Sequence, residues 1–166
     1  MKNKSLILLL LLFFFLGCEE KEEIQYAKIY FPLSAWATKS DFFIANFDYA
    51  KDTTYIIGAY CGSSIPVPQN VEVSIGLAVD SLKKLLKTDP SFANYEILPV
   101  GSYDITPADT VAVIKKNTSR GDLKVTFRTT TLEPTKQYVL PLHIKSTSHY
   151  EVSDQHSYLF FGINKQ

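Results

Sequence analysis

Cysteine, tryptophan and methionine are scarce in this sequence of 166 residues, which has two cysteines, one tryptophan and one methionine. So few cysteines exclude a disulfide scaffold, and we expect Cys61, at the end of an apolar strand-like run, to be a small buried residue. An excess of charge is also missing, because seventeen basic side chains balance seventeen acidic ones. A balanced chain lacks the positive field that binds nucleic acid, so no nucleic-acid partner is expected.

Long apolar runs are missing too, except for residues 6–16, which follow a basic start. This run is too short to span a bilayer, and its layout is typical of a secretory signal. Residues 15–18 resemble the bacterial lipobox, although Phe15 replaces the usual leucine. The resemblance implies a signal peptide at residues 1–17 and a lipid on Cys18, which would be the membrane anchor. An uncleaved apolar tail is the alternative, and it leaves the sequence of this junction unexplained.

An acidic tether is predicted at residues 18–25, between the lipid and the domain. Lys21, Glu22 and Glu23 are similar to the export signal of Bacteroidota lipoproteins, a lysine or small polar residue followed by two acids. The resemblance implies display on the outer face of the outer membrane. Short acidic tethers also occur by chance.

Alternation of apolar and polar residues with a period of two dominates from residue 24 onward. This period places alternate side chains on one buried face, which is typical of strands in antiparallel sheets. Gly, Pro, Asn and Asp separate these runs, so residues 26–166 are predicted to form one all-β sandwich domain. The predicted strands are 27–33, 42–49, 53–61, 71–79, 102–106, 110–115, 123–127, 138–144 and 157–163.

One segment has helical spacing instead, with Leu82, Leu85 and Leu86 on one face and Pro90 after them. We expect a two-turn helix that crosses between the sheets. Pro141 lies inside a predicted strand, and since proline has no N–H to donate, this strand should be irregular or at a sheet edge there.

A family resemblance covers residues 26–163. It is carried by the segments 99–105, 111–114, 121–127 and 132–144, of which the last is the most specific. They resemble the immunoglobulin-like domain of unknown function at the N-terminus of many Bacteroidota surface lipoproteins.

The resemblance implies an immunoglobulin-like antiparallel β-sandwich with one short crossover helix. Members of the family often precede sugar-binding or glycosidase domains, in loci that import glycans through outer-membrane transporters and surface lipoproteins. No domain follows Gln166 in this sequence, so we expect the function to be carried out by this domain itself or by a partner protein. The resemblance brings no catalytic residues, and a fold does not define a function.

The one tryptophan, Trp36, lies among small residues just after the first predicted strand. An exposed indole ring can stack on the face of a sugar. The polar residues Ser34, Lys39, Asp41 and Asn46 are candidates to bind the sugar hydroxyls. Alternatively, Trp36 covers the end of the sandwich core.

Four tyrosines, Tyr26, Tyr30, Tyr60 and Tyr158, are out of phase with the apolar faces of their strands. They could form an aromatic strip on the surface. Alternatively, their rings are buried and only the hydroxyl groups reach water, which is the more common arrangement for tyrosine.

Two histidines and two acids lie close together in the sequence: His149, Glu151, Asp154 and His156. A metal would need them to converge on one point, but a predicted turn separates His156 from the others. We therefore expect ordinary loop polarity, no metal and no cofactor. The sequence contains no nucleophile, phosphate-binding or zinc motif, so an enzyme is not expected.

The predicted function is that of a cell-surface lipoprotein held in the outer membrane by its lipid and facing the cell exterior. It would bind glycan, or act as an accessory subunit of a polysaccharide-utilisation system. Its partners would be the membrane, a polysaccharide, and an outer-membrane transporter or another surface lipoprotein. The alternative is a structural or protein-interaction module that binds no sugar.

Overall fold

The computed structural model describes residues 27–37 and 39–166. The predicted signal peptide at 1–17, the tether at 18–25 and Cys18 lie outside the described residues. The strands of the described chain are β1 (Lys28–Tyr30), β2 (Phe42–Phe47), β3 (Thr53–Gly62), β4 (Val71–Leu77), β5 (Tyr95–Ile97), β6 (Tyr103–Thr106), β7 (Val111–Ile114), β8 (Arg120–Phe127), β9 (Gln137–Thr147), β10 (Glu151–Val152) and β11 (Tyr158–Lys165). Its α-helices are α1 (Pro32–Ala35) and α2 (Val79–Thr88).

Two β-sheets form the sandwich. One has five strands in the order β10-β1-β3-β8-β6, and the other has the order β2-β11-β9-β4-β7 with β5 also paired to β9. Most neighbouring strands are antiparallel, whereas β1–β10, β2–β11 and β5–β9 are parallel. The predicted all-β, immunoglobulin-like sandwich is confirmed, although its sheets are not purely antiparallel.

The main core lies between the sheets and consists of the inward residues of the alternating strands. Phe127 and Phe161, from opposite sheets, stack with their ring centroids 5.5 Å apart. Cys61 belongs to the same core and is 1% exposed, as expected for a small buried residue. Burial raises the pKa of its thiol, so the reactive thiolate is disfavoured.

Helix α2 lies on the outer face of the six-stranded sheet. It connects β4 to β5, and both strands belong to that sheet, so the prediction that the helix crosses between the sheets is wrong. Its Leu82 is fully buried in a second cluster with Phe42, Phe92 and Phe160. The sheet is therefore covered on both sides in this region.

Pro141 lies in the middle of β9, a central strand between β11 and β4. Its carbonyl oxygen accepts a hydrogen bond from the N–H of Ala78, the residue after the end of β4. Strand β4 therefore ends opposite Pro141. Because no strand pairs with this residue on that side, the missing N–H of the proline costs no hydrogen bond between strands. β9 is therefore not an edge strand, but its pairing on this side is interrupted at Pro141, between Leu142, which pairs with Leu77, and Val139, which pairs with Ile97.

No helix among the described residues is long and apolar enough to cross a membrane.

Candidate functional site

Helix α1 carries Trp36 to the surface. The helix starts at Pro32, whose fixed φ suits the first helical position, and it packs against β3. Trp36 caps the C-terminal end, where its N–H donates to the carbonyl oxygen of Pro32 at 3.1 Å. The residue is 74% exposed, so it does not cover the core.

A cleft of about 290 Å³ opens beside this tryptophan, between α1 and the outer face of the five-stranded sheet. Ile56, on β3, is 42% exposed and adds a second apolar surface. The cleft is lined by Pro32, Leu33, Trp36, Tyr55, Ile56, Gly58 and Arg120.

Arg120 is the charged residue among the described lining residues. Its Nε donates to Asp122 Oδ1 at 2.5 Å, and Asp122 is the cross-strand partner of Gly58. A Cβ atom on Gly58 would lie 2.5 Å from Arg120 Nε and 2.9 Å from Asp122 Oδ1. Glycine at this position therefore lets the ion pair lie across the backbone of β3.

The Arg-Gly-Asp tripeptide at 120–122 forms the first three residues of β8. Arg120 and Asp122 point outward, and Gly121 is buried between the sheets. A Cβ on Gly121 would lie 2.6 Å from the backbone carbon of Val113. The tripeptide thus combines an outward ion pair with a glycine that close packing of β7 and β8 requires.

Ser34 and Asp41 meet at a junction below the cleft, together with His156. Ser34 is 2% exposed, and its hydroxyl donates to Asp41 Oδ1. His156 Nδ1 lies 3.2 Å from Ser34 Oγ and 3.4 Å from Asp41 Oδ1. A Ser-His-Asp triad uses both imidazole nitrogens, one for each partner, whereas here Nδ1 contacts both. The junction ties α1 to β2 and β11, and it is not arranged as a nucleophile.

Lys39 and Asn46 lie elsewhere. Lys39 Nζ is 2.7 Å from Asp89 Oδ2 and 3.0 Å from Ser91 Oγ, which connects this loop to the segment after α2. The hydrogen bond from Lys39 lowers the pKa of the Asp89 carboxyl. Asn46 is exposed on β2 beside Asn164. Of the four polar candidates, the structure brings only Ser34 and Asp41 together, and neither lines the cleft.

The tyrosines are divided between the two sheets. Tyr30 and Tyr60 are neighbours on the five-stranded sheet, with ring centroids 5.7 Å apart in an edge-to-face arrangement. Tyr158 is on the six-stranded sheet, where it stacks on His143 at 5.7 Å. Tyr26 is outside the described residues. A single aromatic strip is therefore not formed by the three that are described.

Within the described ranges, no group of three or more His, Cys, Asp and Glu side chains is placed to hold a metal. His156 faces the junction with Asp41, and His149 Nδ1 lies 3.1 Å from Ser148 Oγ. The two histidines thus have different neighbours.

Comparison with known proteins identifies relatives in Bacteroides. A family model described as an N-terminal domain matches residues 24–151. A proposed carbohydrate-binding protein from Bacteroides ovatus has a TM-score of 0.59 at 21% identity, over 83% of this chain and 37% of that one. A multidomain protein including DUF1735 from the same species has a TM-score of 0.61 at 19% identity, over 86% and 46% of the two chains. EndoBT-3987 from Bacteroides thetaiotaomicron, solved with a Man5GlcNAc product, gives 0.60 at 14% identity, over 82% and 30%.

No curated protein matches the sequence. This chain spans less than half the length of each of the three solved structures. At these identities the likeness is one of fold. The family model, in contrast, covers most of the chain, from residue 24 to residue 151. The chain belongs to this family of N-terminal domains, a Bacteroidota domain of unknown function.

Proposed function

We propose that this domain binds glycan at the cell surface, as an accessory component of an outer-membrane polysaccharide-utilisation system. The observation that carries the proposal is the exposed Trp36 ring at the rim of the cleft. The relatives support it, since one is described as a proposed carbohydrate-binding protein and another was solved with a glycan product. The domain acts by binding, without a chemical step.

The size and chemistry of the cleft suit a single sugar ring. Its volume of about 290 Å³ lies just below the range for ligand pockets, about 300–1,000 Å³. A sugar has a face of C–H groups that can cover Trp36 and Ile56, while its hydroxyls reach Arg120. Removing the exposed indole surface from water favours this complex.

Affinity electrophoresis against a panel of polysaccharides tests the proposal. We expect Trp36→Ala to abolish the retardation that wild type shows with its glycan, because the stacking surface is lost. Tyr158→Ala is the matched control, since it removes a partly exposed aromatic ring from the opposite sheet. Wild type that migrates unretarded with every glycan would refute glycan binding.

A protein-interaction module remains the second candidate, and strand β2 favours it. This strand lies at an edge of the six-stranded sheet, has no charged side chain and exposes Ile44 at 46%. Uncharged edge strands can pair with a strand of another protein. Co-purification with an outer-membrane transporter or another surface lipoprotein, lost in Ile44→Lys and retained in Trp36→Ala, would support this function.

A further inference from the structure

We propose that the Trp36 cleft selects an anionic sugar, whose carboxylate or sulfate binds the guanidinium of Arg120 while its ring stacks on Trp36. The inference rests on the proposed glycan-binding function and adds the class of sugar.

The first argument is the chemistry of the lining. In the part of the chain that the structure describes, the lining has one charged side chain, Arg120, and one tyrosine, Tyr55, whose ring packs against Phe161 in the core. A guanidinium only donates hydrogen bonds and always carries its charge. Neutral sugars are held by hydroxyls that donate as well as accept, and a lining dominated by a cationic donor leaves their donors without partners. A carboxylate or sulfate offers acceptors and the opposite charge.

The second argument is the orientation of the guanidinium. Among the described residues, its polar contacts are made through Nε, which donates to Asp122. The outer edge, formed by the two terminal amino groups, is left for a ligand. This edge matches the spacing of two oxygens on a carboxylate or sulfate, and such paired charge-assisted bonds are among the strongest that proteins form.

The third argument is the local charge balance. Asp122 neutralises one cation, but Lys124 is the cross-strand partner of Ile56 and is exposed on the same face of β8. Among the described residues on this face of β8, two cations and one anion therefore lie on or beside the apolar floor of the cleft. The summed charge of these three side chains is positive although that of the whole chain is zero.

Gly58 is a positioning residue in this arrangement. A side chain at this position would collide with the Arg120–Asp122 pair, as the Cβ distances show. We expect Gly58→Ala to displace the guanidinium from the cleft without removing its charge. If Gly58 only stabilised the fold, Gly58→Ala would not change the ratio of affinities for a charged and an uncharged glycan.

Two matched pairs of probes test the inference: polygalacturonate with its fully methyl-esterified form, and dextran sulfate with dextran. By isothermal titration calorimetry, wild type should bind the anionic member of at least one pair about tenfold or more tightly than the neutral member, the size expected for a charge-assisted bidentate contact. The pair that shows the preference tells carboxylate from sulfate. Arg120→Gln and Gly58→Ala should lose the preference while their thermal midpoints remain close to that of wild type.

Arg128→Gln is the matched control. Arg128 directly follows β8 and pairs with Asp104 of β6, but it does not line the cleft, so its loss should leave the preference unchanged.

The other outcomes overturn the inference in distinct ways. Equal binding of both members of each pair, abolished by Trp36→Ala, would refute selection of anions and leave the proposed function intact. An anionic preference that survives in Trp36→Ala and Arg120→Gln would show non-specific adhesion of polyanions. Wild type that binds no probe and no other glycan would overturn both the inference and the proposed function.

Discussion

Tyr49, in the main core, has a buried hydroxyl group that lacks a hydrogen-bond partner among the described residues. Its neighbour in the core, Tyr138, accepts a hydrogen bond from the N–H of Glu133 at 3.3 Å. A buried polar group without a partner costs about 1–3 kcal/mol, whereas a formed hydrogen bond contributes about 0.5–1.5 kcal/mol.

We therefore expect Tyr49→Phe to raise the free energy of unfolding by about 1 kcal/mol, because it removes an unpaired hydroxyl and keeps the ring. Tyr138→Phe is the matched control, and it should lower the free energy of unfolding by about 0.5–1 kcal/mol. Urea denaturation of the two variants measures both changes. Loss of stability in Tyr49→Phe would contradict the assignment.

The same residue predicts how stability depends on alkaline pH. Burial, together with Tyr138, raises the pKa of Tyr49 from 10.0 to about 12. The unfolded chain therefore loses this proton at a lower pH than the folded protein does. The contribution of the protonated hydroxyl to the free energy of unfolding is fully present below pH 10 and is lost as the pH rises toward 12. Thermal melts between pH 9 and 12 should show a smaller decline for Tyr49→Phe than for wild type. Because burial also raises the pKa of Tyr95 and Tyr103, part of the decline should remain. Identical declines would contradict the prediction.

The residues of the cleft were only partly predictable. Trp36 stands out in the sequence as the one tryptophan among small residues. Gly58 and Arg120 do not, because they meet through the pairing of β3 with β8, which sequence alone does not give. The alternation in β8 was an available signal, since Arg120 is out of phase with the buried Leu123 and belongs on the outer face.

At the scale of elements, the alternation of apolar residues predicted most of the strands. It failed for β5 and β10, which are three and two residues long and form only by pairing with β9 and β1. The alternation also does not reveal strands that are buried on both faces, which a continuous apolar run indicates instead. Tyr138 to Leu142 in β9 and Leu159 to Ile163 in β11 are buried throughout, because the second cluster covers part of their outer face.

The cluster under helix α2 makes a second stability prediction. Leu82 is fully buried, whereas Leu86 on the same helix is half-buried. Truncation of a buried leucine costs about 2–5 kcal/mol because it leaves a cavity, and the cost falls with exposure. We expect Leu82→Ala to lower the free energy of unfolding by about 3 kcal/mol and Leu86→Ala by about 1 kcal/mol. Equal effects would indicate that α2 does not depend on this contact.

At the scale of the molecule, the fold could be predicted because it rests on a repeated pattern, and one misjudged strand leaves the other strands in place. The position of α2 could not, since a helix between two strands can cross to the other sheet or return to its own. Which of these occurs depends on the partner of β5, a strand of three residues. The described body presents its cleft on the five-stranded sheet and its covering helix on the other.

The proposed location of this body depends on residues that precede it in the sequence. If Cys18 carries the lipid, cells grown with labelled palmitate should label wild type and leave Cys18→Ala unlabelled, since thioether attachment needs the thiol.

If the acidic tether directs export, alanine at Lys21, Glu22 and Glu23 should keep the label but protect the domain from protease added to intact cells. Wild type should be cleaved under the same conditions. Unlabelled wild type would refute the anchor, and equal cleavage of both proteins would refute the role of the tether.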